Sequence, residues 1–87
     1  MRAILKHYLN MNTTQKVPFS LNRLVHIDSQ GDSLCAWFES SDKQEESVIH
    51  VVGTGYYEIK DNWFHLTTVQ LNGFVWHFYA EYELDND

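Results

Sequence analysis

Apolar and polar positions alternate through most of this chain, and the period is that of strands. In "RAILKHYL", Ala3, Leu5, His7 and Leu9 fall on one side, and Arg2, Ile4, Lys6 and Tyr8 on the other. That pattern predicts an opening strand with cations and an aromatic ring on one face. "NMNTTQ" reads as a polar connector, and Pro18 in "KVPF" limits the next run to an edge or irregular strand. "RLVHID" and "SLCAWFES" flank the turn-rich "SQGD" and predict a hairpin. "SDKQEE" is a charged loop, and the β-branched run "SVIHVVG" predicts a central strand buried on both faces. "TGYYEIKDN" is a connection with room for one short helical turn. No stretch sustains a helical repeat. The expectation is a single mainly antiparallel all-β domain over residues 1–87, a small sandwich or barrel of about seven strands. The acidic tail at residues 83–87 is expected to be mobile.

The closing segment, "TTVQLNGFVWHFYAEY", predicts its own register. Asn72-Gly73 favours a type I′ turn because both positions take positive φ. Counting outward pairs Leu71 with Phe74, Val69 with Trp76, Thr67 with Phe78 and His65 with Ala80 on one apolar face. Phe74, Trp76 and Phe78 are therefore expected in the core. The opposite face pairs Gln70 with Val75, Thr68 with His77 and Leu66 with Tyr79, a mixed surface of the kind that marks an interface or a ligand site.

Size and charge narrow the function. A chain of 87 residues sits near the limit of what one core stabilises, so pairing with copies of itself is expected. The net charge is −6, unevenly spread: residues 1–27 hold Arg2, Lys6, Lys16 and Arg23 with no acid, and all 12 acids follow. The acidic remainder repels a long nucleic acid, while a small anion could still use the basic opening. The lone Cys35 cannot form an intramolecular disulfide and fits a reducing, intracellular setting. The opening is too briefly apolar for a signal peptide, and no run reaches the length of a membrane span.

Catalytic signals are weak. His7, His26, His50, His65 and His77 match no metal-ligand spacing. Cys35 lies among apolar neighbours, where a thiol usually packs rather than reacts. No catalytic residue, metal or cofactor is expected. "VVGTGYY" is more suggestive, because Gly53, Thr54 and Gly55 allow a sharp turn whose amides can cradle an anion, with Tyr56 and Tyr57 beside them as stacking faces. A plain strand-ending turn is the simpler reading of the same residues.

Taken together, "ILKHYL", "LCAWF", "VVGTG" and "TVQLNGFVWHFY" resemble a family of small phage-encoded β domains, over nearly the whole chain. The family is similar to, or includes, phage sponges that sequester cyclic-nucleotide signals of bacterial CBASS-type defence. Only "KHYLNMNTTQ" departs from its pattern. The resemblance implies a homo-oligomer, a dimer or tetramer, in the cytoplasm of an infected bacterium, holding a cyclic di- or oligonucleotide without cleaving it. Ligand contacts would come from Arg2 and Lys6 to phosphate, from the Gly53, Thr54 and Gly55 backbone, from Trp37 or Tyr56 stacking on a base, and from His77 to a base edge or phosphate. Trp76 enters this set through the resemblance, although the register puts it in the core. The alternative is a phage accessory protein that inhibits a host protein by direct contact.

Overall fold

The computed structural model describes residues 2–56 and 58–82. The strands are β1 (Ile4–Leu9), β2 (Thr13–Val17), β3 (Leu24–Gln30), β4 (Ser33–Glu39), β5 (Ser47–Gly53), β6 (Trp63–Leu71) and β7 (Phe74–Glu81); β2 takes in Thr13, Thr14 and Gln15 of the expected connector, whose alternate residues pair with β5 despite their polarity. The only helical element among the described residues is a 3-10 turn at Leu21–Arg23, not in the β5–β6 connection where room for one was expected. Sheet I has the order β1-β4-β3 and sheet II the order β2-β5-β7-β6, with antiparallel pairing throughout. The domain is thus an all-β sandwich rather than a closed barrel. Pro18 follows directly after β2, which is an edge strand, and "SVIHVVG" is an interior one.

The core lies between the sheets. Sheet I contributes Leu9, Ile27, Leu34, Ala36 and Phe38, and sheet II contributes Val17, Ile49, Val51, Val69, Leu71, Trp76 and Phe78. Phe19 closes one side by stacking on Phe38 at 4.3 Å between ring centres. These positions are the inward half of each alternation.

The β6–β7 hairpin forms around Asn72 and Gly73, with φ of 54° and 81°. Its first pairs are Leu71 with Phe74, Val69 with Trp76 and Thr67 with Phe78, as the turn predicts. Further from the turn the register shifts at Leu66, so His65 opposes Tyr79 and Phe64 opposes Ala80. An extra residue in β6 swings Leu66 toward the core and keeps His65 outside. Leu66 is therefore not part of an outward patch with Tyr79. Phe74 also departs from expectation. It shares the inward face but sits at the hairpin tip and is 65% exposed. The acidic tail, residues 83–87, lies outside the described residues.

Candidate functional site

At one end of the sandwich the chain turns three times: at the β1–β2 corner, after β5, and between β6 and β7. A cavity of about 790 Å³ opens among these turns. Its walls include Tyr56, Phe74 and Trp76, with the Gly53-Thr54-Gly55 backbone below and Asn12 and Glu58 as polar contributors. The sequence builds this locally. Gly55 has φ of 101°, a conformation that strongly favours glycine, and so turns the chain away from β5. Gly53 pairs with Trp76, and a Cβ at 53 would sit 3.6 Å from the edge of the Trp76 ring, so the indole lies directly against the glycine backbone.

Trp76 lies in the core, as the register predicts, and at the cavity: it is only 9% exposed and forms one wall. Its indole Nε1 is buried without a hydrogen-bond partner, a cost that buried donors rarely bear. Two amides of the expected cradle are already engaged. Thr54 N–H donates to the Val75 carbonyl and Tyr56 N–H to the Gly53 carbonyl, each at 3.2 Å, so both are used in holding the turn. Tyr57, the second expected stacking face, lies outside the described residues.

His77 stands next to the glycine loop but on the outer face of sheet II, behind the cavity rather than in its wall. Its Nε2 is 2.8 Å from Thr54 Oγ1 and its Nδ1 3.0 Å from Thr68 Oγ1, which in turn lies 2.8 Å from His65 Nε2. The result is a chain of side chains ending at the cavity rim. A second group on this face centres on His50, which is 3% exposed. Its Nδ1 meets Thr14 Oγ1 at 2.7 Å and its Nε2 meets Glu81 Oε1 at 2.9 Å. A carboxylate only accepts, so Nε2 carries a proton, and the Thr14 hydroxyl, able to donate or accept, completes the ring's bonding at Nδ1. Trp63 covers the ring at 3.7 Å, nearly parallel, reaching across β7 from β6. Among the described residues no group of three or more His, Cys, Asp or Glu side chains is placed to hold a metal ion.

Arg2, Lys6 and Trp37 are elsewhere, on the outer face of sheet I. Lys6 opposes Trp37, and its Nζ crosses β4 to Gln30 Oε1 at 2.6 Å. Arg2 lies 3.5 Å from Glu39 in an exposed ion pair, which adds little stability. His26 tilts against Trp37 and lies 3.3 Å from Asp28. The Asp28 carboxyl is held below its ordinary range, first by the Ser29 backbone N–H and then by the His26 side chain.

The structure therefore gathers Gly53, Thr54, Gly55, Tyr56 and Trp76 at one cavity, sets His77 behind it, and separates Arg2, Lys6 and Trp37 from it. Sequence reasoning missed Asn12, Glu58 and Phe74. Phe74 directly follows the turn dipeptide, and that position at a strand's first residue is a signal for a hairpin tip rather than a core. Asn12 and Glu58 carry no comparable signal.

A small all-β sandwich with an aromatic-walled cavity at one end is the class that this geometry defines. The chain belongs to the DUF7352 family, a domain of unknown function, whose model matches residues 1–87. No curated protein and no solved structure matches it. No helix among the described residues is long and apolar enough to cross a membrane.

Proposed function

We propose that this protein binds and sequesters a cyclic-nucleotide immune signal without cleaving it, as a phage-encoded homo-oligomer in an infected bacterium. The observation that carries this reading is the cavity at the glycine turn, which Tyr56, Phe74 and Trp76 line with aromatic surface of the kind that bases stack on. Base–aromatic stacking contributes roughly 1–3 kcal/mol per base. The resemblance of "GTG" and "TVQ…GFVWH" to phage-encoded β domains supports the same reading. Among the described residues one copy offers walls but no cation at the cavity, so in this reading the phosphates meet Arg2 or Lys6 of another copy. A two-fold assembly lined twice by the same residues suits a ligand with two equivalent halves.

Isothermal titration against cyclic di- and trinucleotides and cyclic ADP-ribose isomers, with native mass spectrometry, tests this. The expected result is submicromolar binding, over about 8 kcal/mol, by an even-numbered oligomer that releases the ligand intact. Tyr56→Ala should weaken it about tenfold or more with little change in melting temperature. Silence across the panel would sink the reading.

Inhibition of a host protein by direct contact is the second reading. The outer face of sheet I favours it, since Ile4 and Tyr8 are 62% and 59% exposed there beside Trp37. Pull-down from infected-cell lysate that captures one host protein, lost on Tyr8→Asp, would favour this reading over the first.

A further inference from the structure

Strands β1 and β5 both run toward the cavity, and the end of the sandwich from which they start gathers positive charge. Over the six residues of β1 the two ends lie roughly 20 Å apart. A depression of about 240 Å³ opens at that far end, lined by Arg2, Arg23, Ser40, Ser41, Asp42 and Lys43. Three of the chain's six Lys and Arg residues thus meet at one place.

The fold brings them there from separate parts of the chain. Arg2 precedes β1, Arg23 ends the 3-10 turn before β3, and residues 40–43 follow β4. Ser40 N–H donates to the Ala3 carbonyl at 2.8 Å, and Ala3 N–H donates to Ser40 Oγ at 2.9 Å. These two bonds hold the loop after β4 against the start of β1. Arg23 reaches the same loop, with Nη1 3.4 Å from the Ser40 carbonyl.

Hydrogen-bond donors remain unspent in this lining. The Ser40 hydroxyl accepts from Ala3 N–H, and the Ser41 hydroxyl accepts from Lys43 N–H at 3.1 Å. Among the described residues neither gives its own proton to the protein. A guanidinium carries five N–H donors in a fixed fork. Arg23 uses Nε toward Glu45 at 3.3 Å and Nη1 toward Ser40, and the rest of its fork is free. Arg2 is paired through one nitrogen, with Glu39. Lys43 forms no ion pair among the described residues. Asp42 is the one carboxylate of the lining, against three cations, while Glu39 and Glu45 line a neighbouring depression.

We infer that this end of the domain is a binding site for a phosphate-type oxyanion. Arg2, Arg23 and Lys43 supply charge, and the Ser40 and Ser41 hydroxyls supply further hydrogen bonds. A phosphate presents several acceptor oxygens at once, which suits guanidinium forks and hydroxyls acting together. The site is separate from the cavity and stands without the cyclic-nucleotide reading. On that reading, it is where the phosphates of a ligand seated in another copy's cavity would be met, by Arg2 and its neighbours rather than by Lys6.

The test is titration of the full chain with inorganic pyrophosphate at constant ionic strength, followed by amide NMR shifts. Saturable shifts centred on Ser40, Ser41 and Lys43 are expected, and these are read on the natural chain without any variant. Lys43→Gln and Arg2→Gln should each weaken binding about fivefold. Lys60→Gln, the same loss of charge outside the depression, should change it less than about twofold. Shifts that stay linear in pyrophosphate, or equal weakening by all three variants, would overturn the site. Pyrophosphate binding here, with silence from every cyclic nucleotide, would leave the site standing and remove the cyclic-nucleotide reading.

Discussion

On the outside of sheet II, His50 lies beneath Trp63 with both ring nitrogens bonded, and His65, Thr68, His77 and Thr54 form an unbroken chain at 2.8–3.0 Å. On the outside of sheet I, the polar groups pair across open solvent, as Arg2 with Glu39 at 3.5 Å and His26 with Asp28 at 3.3 Å. Both faces arise from the same alternation of strand residues, and both carry a tryptophan and at least one histidine. The difference lies in what each group can reach. Strands β5 and β6 flank β7 closely enough for Trp63 to cross it and seal His50. On sheet I the corresponding crossing is a single flexible lysine, Lys6. A face closed on itself by short bonds, where among the described residues only the Trp63 indole N–H is left unpartnered beneath the surface, has little to offer a partner, whereas an open face keeps its groups available.

Substituting the two tryptophans sharpens this contrast most. Trp63→Ala uncovers a buried, doubly bonded histidine and should cost about 3 kcal/mol, at the low end of Trp→Ala in cores. Trp37→Ala removes only side-chain area and should cost about 1 kcal/mol. Urea midpoints for the two variants at equal slope measure the difference, and equal losses would remove the distinction between the faces. A smaller effect is expected from Thr68→Val, which keeps the shape but leaves His65 Nε2 and His77 Nδ1 without their shared hydroxyl. It should cost about 1 kcal/mol, against less than about 0.5 kcal/mol for Lys6→Ala on the open face.

The smallest expected effect concerns acid. In the folded protein Asp28 loses its proton more readily than in the unfolded chain, because Ser29 N–H and His26 favour the carboxylate. Its contribution to stability is therefore present at neutral pH and fades as pH falls through and below the ordinary carboxylate range. The urea midpoints of Asp28→Asn and the natural chain should differ slightly near neutrality and converge below about pH 3. A gap that widens in acid would reverse the sign.

Much of the fold was legible because strand alternation and turn chemistry are local. Asn72-Gly73 sets the hairpin, and Val69 opposite Trp76 follows by counting. Counting fails at Leu66, where a bulge depends on what the opposing sheet needs and leaves no mark in the sequence. The site was half legible for the same reason. "GTG" announces a turn, and Tyr56 and Trp76 lie near it by local geometry. Arg2, Lys6 and Trp37 were grouped with that turn by their chemistry, but β1 and β4 lie in the other sheet. The spent amides of Thr54 and Tyr56 were invisible, because their partners depend on the detailed path of the loop and on β7.

Cys35 gives the open face a clock. The residue points outward from β4, yet it is wholly buried between Tyr8 on β1 and Asp28 on β3, with the Lys6–Gln30 bond passing across the strand that carries it. Its sulfur can meet a thiol reagent only when those neighbours part, so the labelling rate counts their separations over time. Anything that settles on sheet I, whether another copy or a foreign protein, will slow that count. A ligand confined to the far-end cavity will leave it running.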